Sequence, residues 1–238
     1  YTIWADYNYG HICSQWLERF ANDAGAELVA KEYYPLDVTD FSTTITKIQE
    51  AAPDMVVSGL VGGNHIGFYR QWPAAGMLGK IPLHSTVFGP WEKSLLQGGE
   101  TEGRVTSVKY FQTIETPENK AFRDRWHSEY GDDDAELGSI AIQTYNAVNL
   151  WKIAAEMAGS VEREEVVKAL ESGVSFNGPG GKVTVDHQTH HLICSTVTAE
   201  VTDGQFKIVG NNPDVAPLDT ASVCDLIANP NMSKQFQP

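Results

Sequence analysis

The chain has 238 residues, a hydrophobic fraction of 42% and a formal net charge of −14, from 17 basic and 31 acidic side chains. This length and apolar content allow one large domain or two small ones. The negative charge, with no basic stripe to offset it, argues against nucleic acid as a partner. No apolar stretch approaches the ~20 residues that span a bilayer, and the first residues lack a signal-peptide pattern.

The first half of the sequence alternates between apolar runs and amphipathic runs. Strands are predicted at residues 1–5, 26–34, 55–61 and 81–87, with helices at 11–24, 39–54 and 64–75 between them. In the first predicted helix, Ile12, Trp16 and Phe20 recur at the spacing of one helical face. Parallel strands need crossover connections of this length, so the βαβαβαβ order predicts a parallel sheet with helices on both faces.

One more strand and three helices are predicted in the next part of the chain. The strand covers residues 105–111, and the helices cover 117–130, 137–158 and 160–173, with Ser160 as a cap. The triplet Thr116-Pro117-Glu118 combines an N-cap residue, a proline at the first helical position and an early acid. Together these favour a helix that begins at residue 117.

The pattern changes to period two after the stretch "NGPGGK". Apolar residues alternate up to position 209, and the Asp203-Gly204 pair is a strong turn signal. We therefore predict a β-hairpin from strands at 193–201 and 206–209. Little regular structure is expected in the proline-bearing tail, residues 211–238.

Four predicted loops emerge at the carboxyl ends of the parallel strands, where open α/β sheets bind ligands. They cover residues 7–10, 36–41, 62–65 and 86–91. Tyr7 and Tyr9, flanked by Gly10, favour a binding wall, although packing against the next helix is an alternative. Phe88 and Trp91 add aromatic surface to the same edge or fill a gap between helix and sheet.

A nucleophilic enzyme is one alternative, because Cys13 lies near a helix start and beside His11. Against it, Cys13 adjoins the core-facing Ile12, and no Asn or Asp orienting group stands at a meaningful spacing. We therefore predict no catalytic residues. The three cysteines, Cys13, Cys194 and Cys224, are too few for a disulfide framework, while one disulfide stays open.

Three other motifs were weighed as metal or anion sites, and no metal or cofactor is predicted from them. His187, His190 and His191 lack a fourth ligand at a recognisable spacing and are interpreted as a solvated loop. The acid run at 132–134 lacks the alternate spacing of a calcium loop. The Gly62-Gly63-Asn64 turn has neither a Walker lysine nor a dinucleotide fingerprint.

Four stretches together resemble a known family of proteins. They are "ADYNYG", "YYPLDVTDFSTTITKIQEAAPDMVVSGLVGGNHIGFYRQWPAAG", "KYFQTIETPENKAFRDRWHSEYG" and "GKVTVDHQTHHL". The sequence is similar to the solute-binding proteins of ABC importers with the type I periplasmic-binding fold, in the branch of urea, short-chain amide and branched-chain amino acid binders. The resemblance runs from residue 1 to about 209 and implies an α/β fold with two lobes around a solute cleft.

The resemblance also implies a division of the chain. Residues 1–115 would form the second lobe, 116–175 would be helices that return to the first lobe, 176–210 a hairpin that returns to the second, and 211–238 a loop-rich tail. Family members have additional first-lobe strands before this point. We therefore expect a C-terminal portion of a longer protein, whose uncovered apolar helices would pair with an N-terminal fragment or a second copy of the chain.

By the resemblance, the ligand-binding residues would be Tyr7, Tyr9, Gly62, Asn64, Thr86, Val87 and Phe88. Where amide and urea binders offer polar and acidic groups after the fourth strand, this chain has Val87-Phe88. The change argues for a ligand with more apolar surface, because a buried polar solute would be left unpaired.

The function implied is a non-enzymatic, periplasmic solute-binding component that presents a small amide, urea-like or amino-acid-like molecule to a membrane permease. Two alternatives stay open: a cytoplasmic amide sensor that controls a regulator, and a Cys/His amidohydrolase.

Overall fold

The computed structural model describes residues 1–131 and 136–234, with the exception of the Leu218 and Asp219 side chains. The strands are β1 (Thr2–Ala5), β2 (Lys31–Tyr34), β3 (Val56–Gly59), β4 (Leu83–Ser85), β5 (Arg104–Val108), β6 (Ser175–Gly178), β7 (Gly181–Val185), β8 (Leu192–Thr202) and β9 (Gln205–Val215). The helices are α1 (Asn8–Asp23), α2 (Ser42–Ala51), α3 (Gly62–Ala74), α4 (Pro90–Ser94), α5 (Gly98–Thr101), α6 (Pro117–Tyr130), α7 (Ser139–Ala158), α8 (Arg163–Leu170) and α9 (Leu218–Ala221). Across these described residues, none of the helices combines the length and the apolar character that crossing a membrane requires.

The described chain forms two compact units. Among the described residues, the first unit consists of 1–107 and 198–209, and the second of 108–197 and 210–234. Strands β8 and β9 contribute residues to both units.

The first unit is built on a parallel sheet with the strand order β2-β1-β3-β4-β5. Each neighbouring pair in this order is parallel, as the alternation of strands and helices predicted. The order reverses between β1 and β3, because the chain moves outward to β2 and then returns past β1 to β3. The carboxyl ends of β1, β3 and β4 are therefore neighbours at one edge.

Large apolar side chains fill the first unit. Trp4, Phe68 and Trp72 are almost completely buried, and Phe41 stacks edge-on against Phe68 at a ring distance of 5.5 Å. Gly59 is required beside Trp4, since a Cβ at position 59 would lie 2.1 Å from the indole ring. This close approach lets β1 and β3 pair directly under the indole.

The second unit combines helices with antiparallel strands. Strand β7 pairs with β6 on one side and with β8 on the other. Helix α7 packs against α8 and β6, and its Leu150 and Ala154 join Val166 of α8 and Val183 of β7 in one apolar cluster. The predicted start of α6 is confirmed, because the Thr116 hydroxyl accepts a hydrogen bond from the Asn119 N–H at 3.1 Å.

The βαβαβαβ order, the parallel sheet and the hairpin between β8 and β9 are confirmed, while several boundaries were wrong. Helix α1 begins at Asn8 and not at residue 11, and α3 begins at Gly62 and not at residue 64. Strand β2 is shorter than predicted, because it pairs with the four residues of β1.

The later boundaries also differ from the sequence prediction. Helix α8 begins at Arg163, since the Ser160 hydroxyl accepts from the Glu162 N–H in a turn before it. Strand β6 was not predicted, and β9 continues to Val215, into the expected loop-rich tail. The acid run at 132–134 lies outside the described residues.

Candidate ligand-binding edge

Two tyrosines stand at the carboxyl end of β1. Tyr7 has extended backbone angles immediately before α1, and Tyr9 lies in the first turn of that helix. Both residues were predicted in a loop: this is confirmed for Tyr7, which precedes α1, and is wrong for Tyr9, whose direction the helix fixes. The two rings are 5.8 Å apart, and Tyr7 is 42% exposed, so its ring is available to a ligand at this edge.

Tyr9 is tied to the loop that follows β4. Its hydroxyl lies 2.6 Å from the Thr86 Oγ1, while the Thr86 N–H donates to the Ser58 carbonyl of β3 at 3.1 Å. This contact brings together two predicted site residues that are 77 positions apart and links the ends of β1, β3 and β4. Burial raises the pKa of Tyr9 to about 12, so the hydroxyl stays protonated at neutral pH and can donate or accept.

Acidic side chains at this edge are already engaged by the protein. The Asp6 carboxylate lies 2.8 Å from the His11 Nε2, and the His11 ring stacks on Tyr33 at 4.2 Å. The Glu92 carboxylate accepts from the Gly89 N–H at 2.8 Å at the start of α4, and burial raises the pKa of Glu92. In each of these two carboxylates, one oxygen is thus engaged within the protein.

Two other predicted site residues, Phe88 and Asn64, are buried. Phe88 is completely buried, with His65 and Tyr69 against its ring, so its side chain adds no surface to this edge. Asn64 is also buried: its Oδ1 accepts from the Val61 N–H at 3.0 Å, and its Nδ2 donates to the Pro35 carbonyl. Their role toward a ligand stays a prediction.

Val87 and Gly62 remain nearer to the surface. Val87 is half-buried beside Thr86. Gly62 opens α3 with a positive φ of 59°, a conformation that favours glycine, and it has open space around its Cα.

Cys13 lacks the surroundings of a nucleophile. It is a half-buried free thiol, and burial raises its pKa. The neighbouring hydroxyl is that of Tyr9, which also stays protonated. Because the thiolate is the reactive form, this setting does not support covalent catalysis.

The loop that carries His187, His190 and His191 is fixed by hydrogen bonds within the protein. The Asp186 Oδ2 accepts from the N–H and the hydroxyl of Thr189 at 2.9 and 2.7 Å, and the His190 Nε2 lies 3.0 Å from Glu171. Within residues 1–131 and 136–234, no group of three or more His, Cys, Asp or Glu side chains is placed to hold a metal ion.

A groove that the sequence analysis missed runs along α3 in the first unit. It has a volume of about 550 Å³ and is lined by Thr39, Gly62, Gly63, Ile66, Gly67, Arg70, Gln71, Trp91 and Leu95. Six of these residues recur on one face of α3, at 62/63, 66/67 and 70/71, a spacing that could have indicated an open helical face. Trp91, which was considered as rim surface, is 62% exposed beside it.

Comparison with known proteins agrees with this architecture. The sequence profile of the family described as "Periplasmic binding protein domain" matches residues 1–221, almost the whole chain. The chain belongs to this periplasmic binding protein family. A curated relative, the Leu/Ile/Val-binding protein homolog 6 of Brucella melitensis, is 24% identical over 204 residues, which cover 84% of this chain and 52% of the relative.

Solved structures of periplasmic binding proteins show the same fold. The amino acid ABC transporter substrate-binding protein of Pseudomonas fluorescens Pf-5 matches with a TM-score of 0.82 and 19% identity, over 95% of this chain and 62% of that one. A solute-binding protein of Rhodopseudomonas palustris HaA2, in complex with p-hydroxybenzoic acid, matches with a TM-score of 0.79 and 21% identity, over 93% and 62%. The type I periplasmic-binding fold is thus confirmed. The chain spans about half the length of the curated relatives it matches.

Proposed function

We propose that this chain is part of a non-enzymatic solute-binding protein of an ABC importer, which works in the periplasm and delivers a small molecule to a membrane permease. The observation that carries the proposal is the contact between Tyr9 and Thr86 at 2.6 Å, with the Tyr7 ring beside it. It places aromatic surface and a hydroxyl pair at the carboxyl edge of a periplasmic binding protein sheet, where ligands of open α/β sheets bind.

The proposed ligand is a small amide, urea-like or amino-acid-like molecule with substantial apolar surface. The exposed Tyr7 ring suits stacking on a planar or apolar group. One named relative is described as a Leu/Ile/Val-binding protein homologue, which supports an amino-acid-like ligand, and a solved structure holds p-hydroxybenzoic acid, which supports the apolar surface.

We further propose that residues 1–115 supply one wall of the solute cleft, and that the part of the 176–210 segment that lies in the first unit, residues 198–209, belongs to the same lobe. Residues 116–175 would belong to the opposing lobe, whose remaining strands would be supplied by another part of the same protein. The coverage of the relatives is the support for this arrangement.

Calorimetric titration of the full-length protein tests the proposal. Acetamide, urea, leucine and p-hydroxybenzoate serve as probes for the wild type, for Tyr7→Ala and for Tyr7→Ala/Tyr9→Ala. We expect one probe to bind, and the double variant to weaken it by about 2–3 kcal/mol through lost stacking and burial. Tyr7→Ala should leave the Tm of the ligand-free protein unchanged, because its ring is exposed.

Tyr130→Ala is the matched control, since Tyr130 is also exposed but lies on α6 in the second unit. Equal affinity of the wild type and the double variant for a bound probe would remove the two tyrosines from the site. Hydrolysis of an amide probe that stops in Cys13→Ser would contradict the binding-protein proposal itself.

A further inference from the structure

The groove along α3 combines one cation with apolar walls. Arg70 is the one ionisable side chain among the described residues that line it. Its Nη2 donates to the Leu95 carbonyl at 2.8 Å, which holds the exposed guanidinium at the groove while its other N–H groups remain available. Ile66, Trp91 and Leu95 provide the apolar surface.

The floor of the groove is open because glycines form it. A Cβ at Gly63 would meet no atom within 4 Å, so the space above this residue belongs to the groove and not to the packed interior. At Gly67, by contrast, the space is already filled, because a Cβ there would lie 2.8 Å from the Thr39 carbonyl oxygen. A planar group could therefore lie on the backbone near Gly63, beside the Trp91 indole.

We propose that this groove is a second small-molecule site, which takes a carboxylate attached to a flat apolar body. Arg70 pairs with the carboxylate through charge-assisted hydrogen bonds, and Trp91 with Ile66 covers the apolar body. The groove shares Gly62 with the predicted ligand-binding residues, but Tyr7, Tyr9 and Thr86 do not line it. All of its lining residues lie in the first unit, so it is formed by the 238-residue chain as it stands.

The test uses phenylacetate as the probe and nuclear magnetic resonance of the tryptophan indole N–H groups in the 238-residue chain. Trp91→Phe identifies the signal of Trp91 among those of the six tryptophans. We expect a saturable shift of this signal, with a Kd on the order of 1 mM. Phenylacetamide, which has the same shape without the charge, should bind at least tenfold more weakly.

Two variants probe the two halves of the site. Arg70→Met removes the cation and should weaken phenylacetate binding at least tenfold. Gly63→Leu fills the groove, keeps Arg70 and improves helix propensity, and it should abolish the saturable shift. Gly99→Leu is the matched control, because Gly99 also has open space at its Cβ but lies on α5 outside the groove.

The site is disproved if the Trp91 shift stays linear up to about 10 mM phenylacetate, or if Arg70→Met and Gly63→Leu bind like the wild type. Failure of this site leaves the proposed solute cleft untouched, because the cleft is tested with Tyr7 and Tyr9 variants that do not line the groove. Conversely, phenylacetate binding that survives Tyr7→Ala/Tyr9→Ala would support the groove even if the importer proposal failed.

Discussion

Arg104 is a buried cation whose position is explained by a proline in a neighbouring helix. Its Nη2 donates to the Tyr69 carbonyl at 3.0 Å and to the Glu100 carbonyl at 3.1 Å, and its guanidinium lies 3.8 Å from the centre of the Tyr69 ring. In a regular helix the Tyr69 carbonyl would accept from the N–H four residues later, but that residue is Pro73, which has none. Arg104 supplies the missing donor.

The first prediction follows from this replacement. Arg104→Met should lower the free energy of unfolding by about 1–3 kcal/mol, because it leaves the buried Tyr69 carbonyl without a partner. In a Pro73→Ala background the backbone N–H of residue 73 becomes available, so the same substitution should cost about 1 kcal/mol less. Urea unfolding of the four proteins measures the coupling, and equal costs in both backgrounds would refute the explanation.

His65 makes the stability of the first unit depend on pH. It is buried, its Nδ1 lies 2.9 Å from the Leu60 carbonyl, and burial lowers its pKa from 6.5 to about 4. The unfolded chain therefore takes up a proton at higher pH than the folded chain does. The contribution of His65 to stability is complete above pH 6.5 and is lost as the pH falls toward 4.

The second prediction is a comparison of pH slopes. Between pH 7 and pH 4 the wild type should lose roughly 3 kcal/mol more of its unfolding free energy than His65→Gln does, since the variant has no group to protonate there. Urea unfolding at several pH values measures this difference. Parallel curves for the two proteins would show that His65 does not titrate as its burial requires.

At the scale of elements, the sequence pattern predicted the order of strands and helices but not how the loops between them fold. Apolar periodicity suffices for β1 to β5 and for α1 to α3, because these elements show a regular spacing to one buried face. The short helices α4 and α5 were not predicted. Periodicity fails at the start of α1, where Tyr7 carries no capping side chain. It also fails at β6, a strand of four residues, two of them exposed, whose partner β7 supplies its hydrogen bonds.

The sequence predicted the edge on which the candidate site lies, but not the direction of each side chain in it. A position at the end of a strand indicates the edge on which a residue lies, so Tyr9 and Thr86 could be placed together. It does not indicate the side-chain direction: Phe88 follows the same strand as Thr86 yet is buried among aromatic rings. The groove on α3 depends on the neighbouring Thr39 and Trp91 segments, which helical spacing alone does not position.

The third prediction concerns the cap of α6. Thr116→Ala removes the acceptor for the Asn119 N–H and should lower the unfolding free energy of the second unit by about 1 kcal/mol. Thr144→Ala is the control, because the Thr144 hydroxyl bonds a carbonyl within the exposed face of α7 and caps no helix end. Thermal unfolding of both variants gives the comparison; the interpretation fails if Thr116→Ala is no less stable than the control.

At the scale of the whole molecule, α7 presents apolar side chains on two faces. Leu150 and Ala154 lie in the core of the second unit, while Ile140, Val148 and Trp151 on the other side are 81%, 61% and 49% exposed. Contiguous apolar surface of this kind usually marks an interaction site. It agrees with the proposal that these helices belong with another part of the protein.

The fourth prediction is that this face drives association of the isolated 238-residue chain. Val148→Lys/Trp151→Gln should shift sedimentation toward a monomer without lowering the Tm, because both side chains are exposed. The control is Lys152→Gln, a change at an exposed position on the same helix that leaves the apolar side chains in place. A wild-type chain that is already monomeric at about 100 μM would contradict this prediction.

Solute binding by the full-length protein is the central claim, and native mass spectrometry of that protein, purified from its own host, tests it most directly. We expect one small molecule to be retained per chain, released unchanged on denaturation and lost in Tyr7→Ala/Tyr9→Ala. A protein that retains no small molecule and binds none of the four titration probes, or that releases its probe chemically altered, would not be a solute-binding protein.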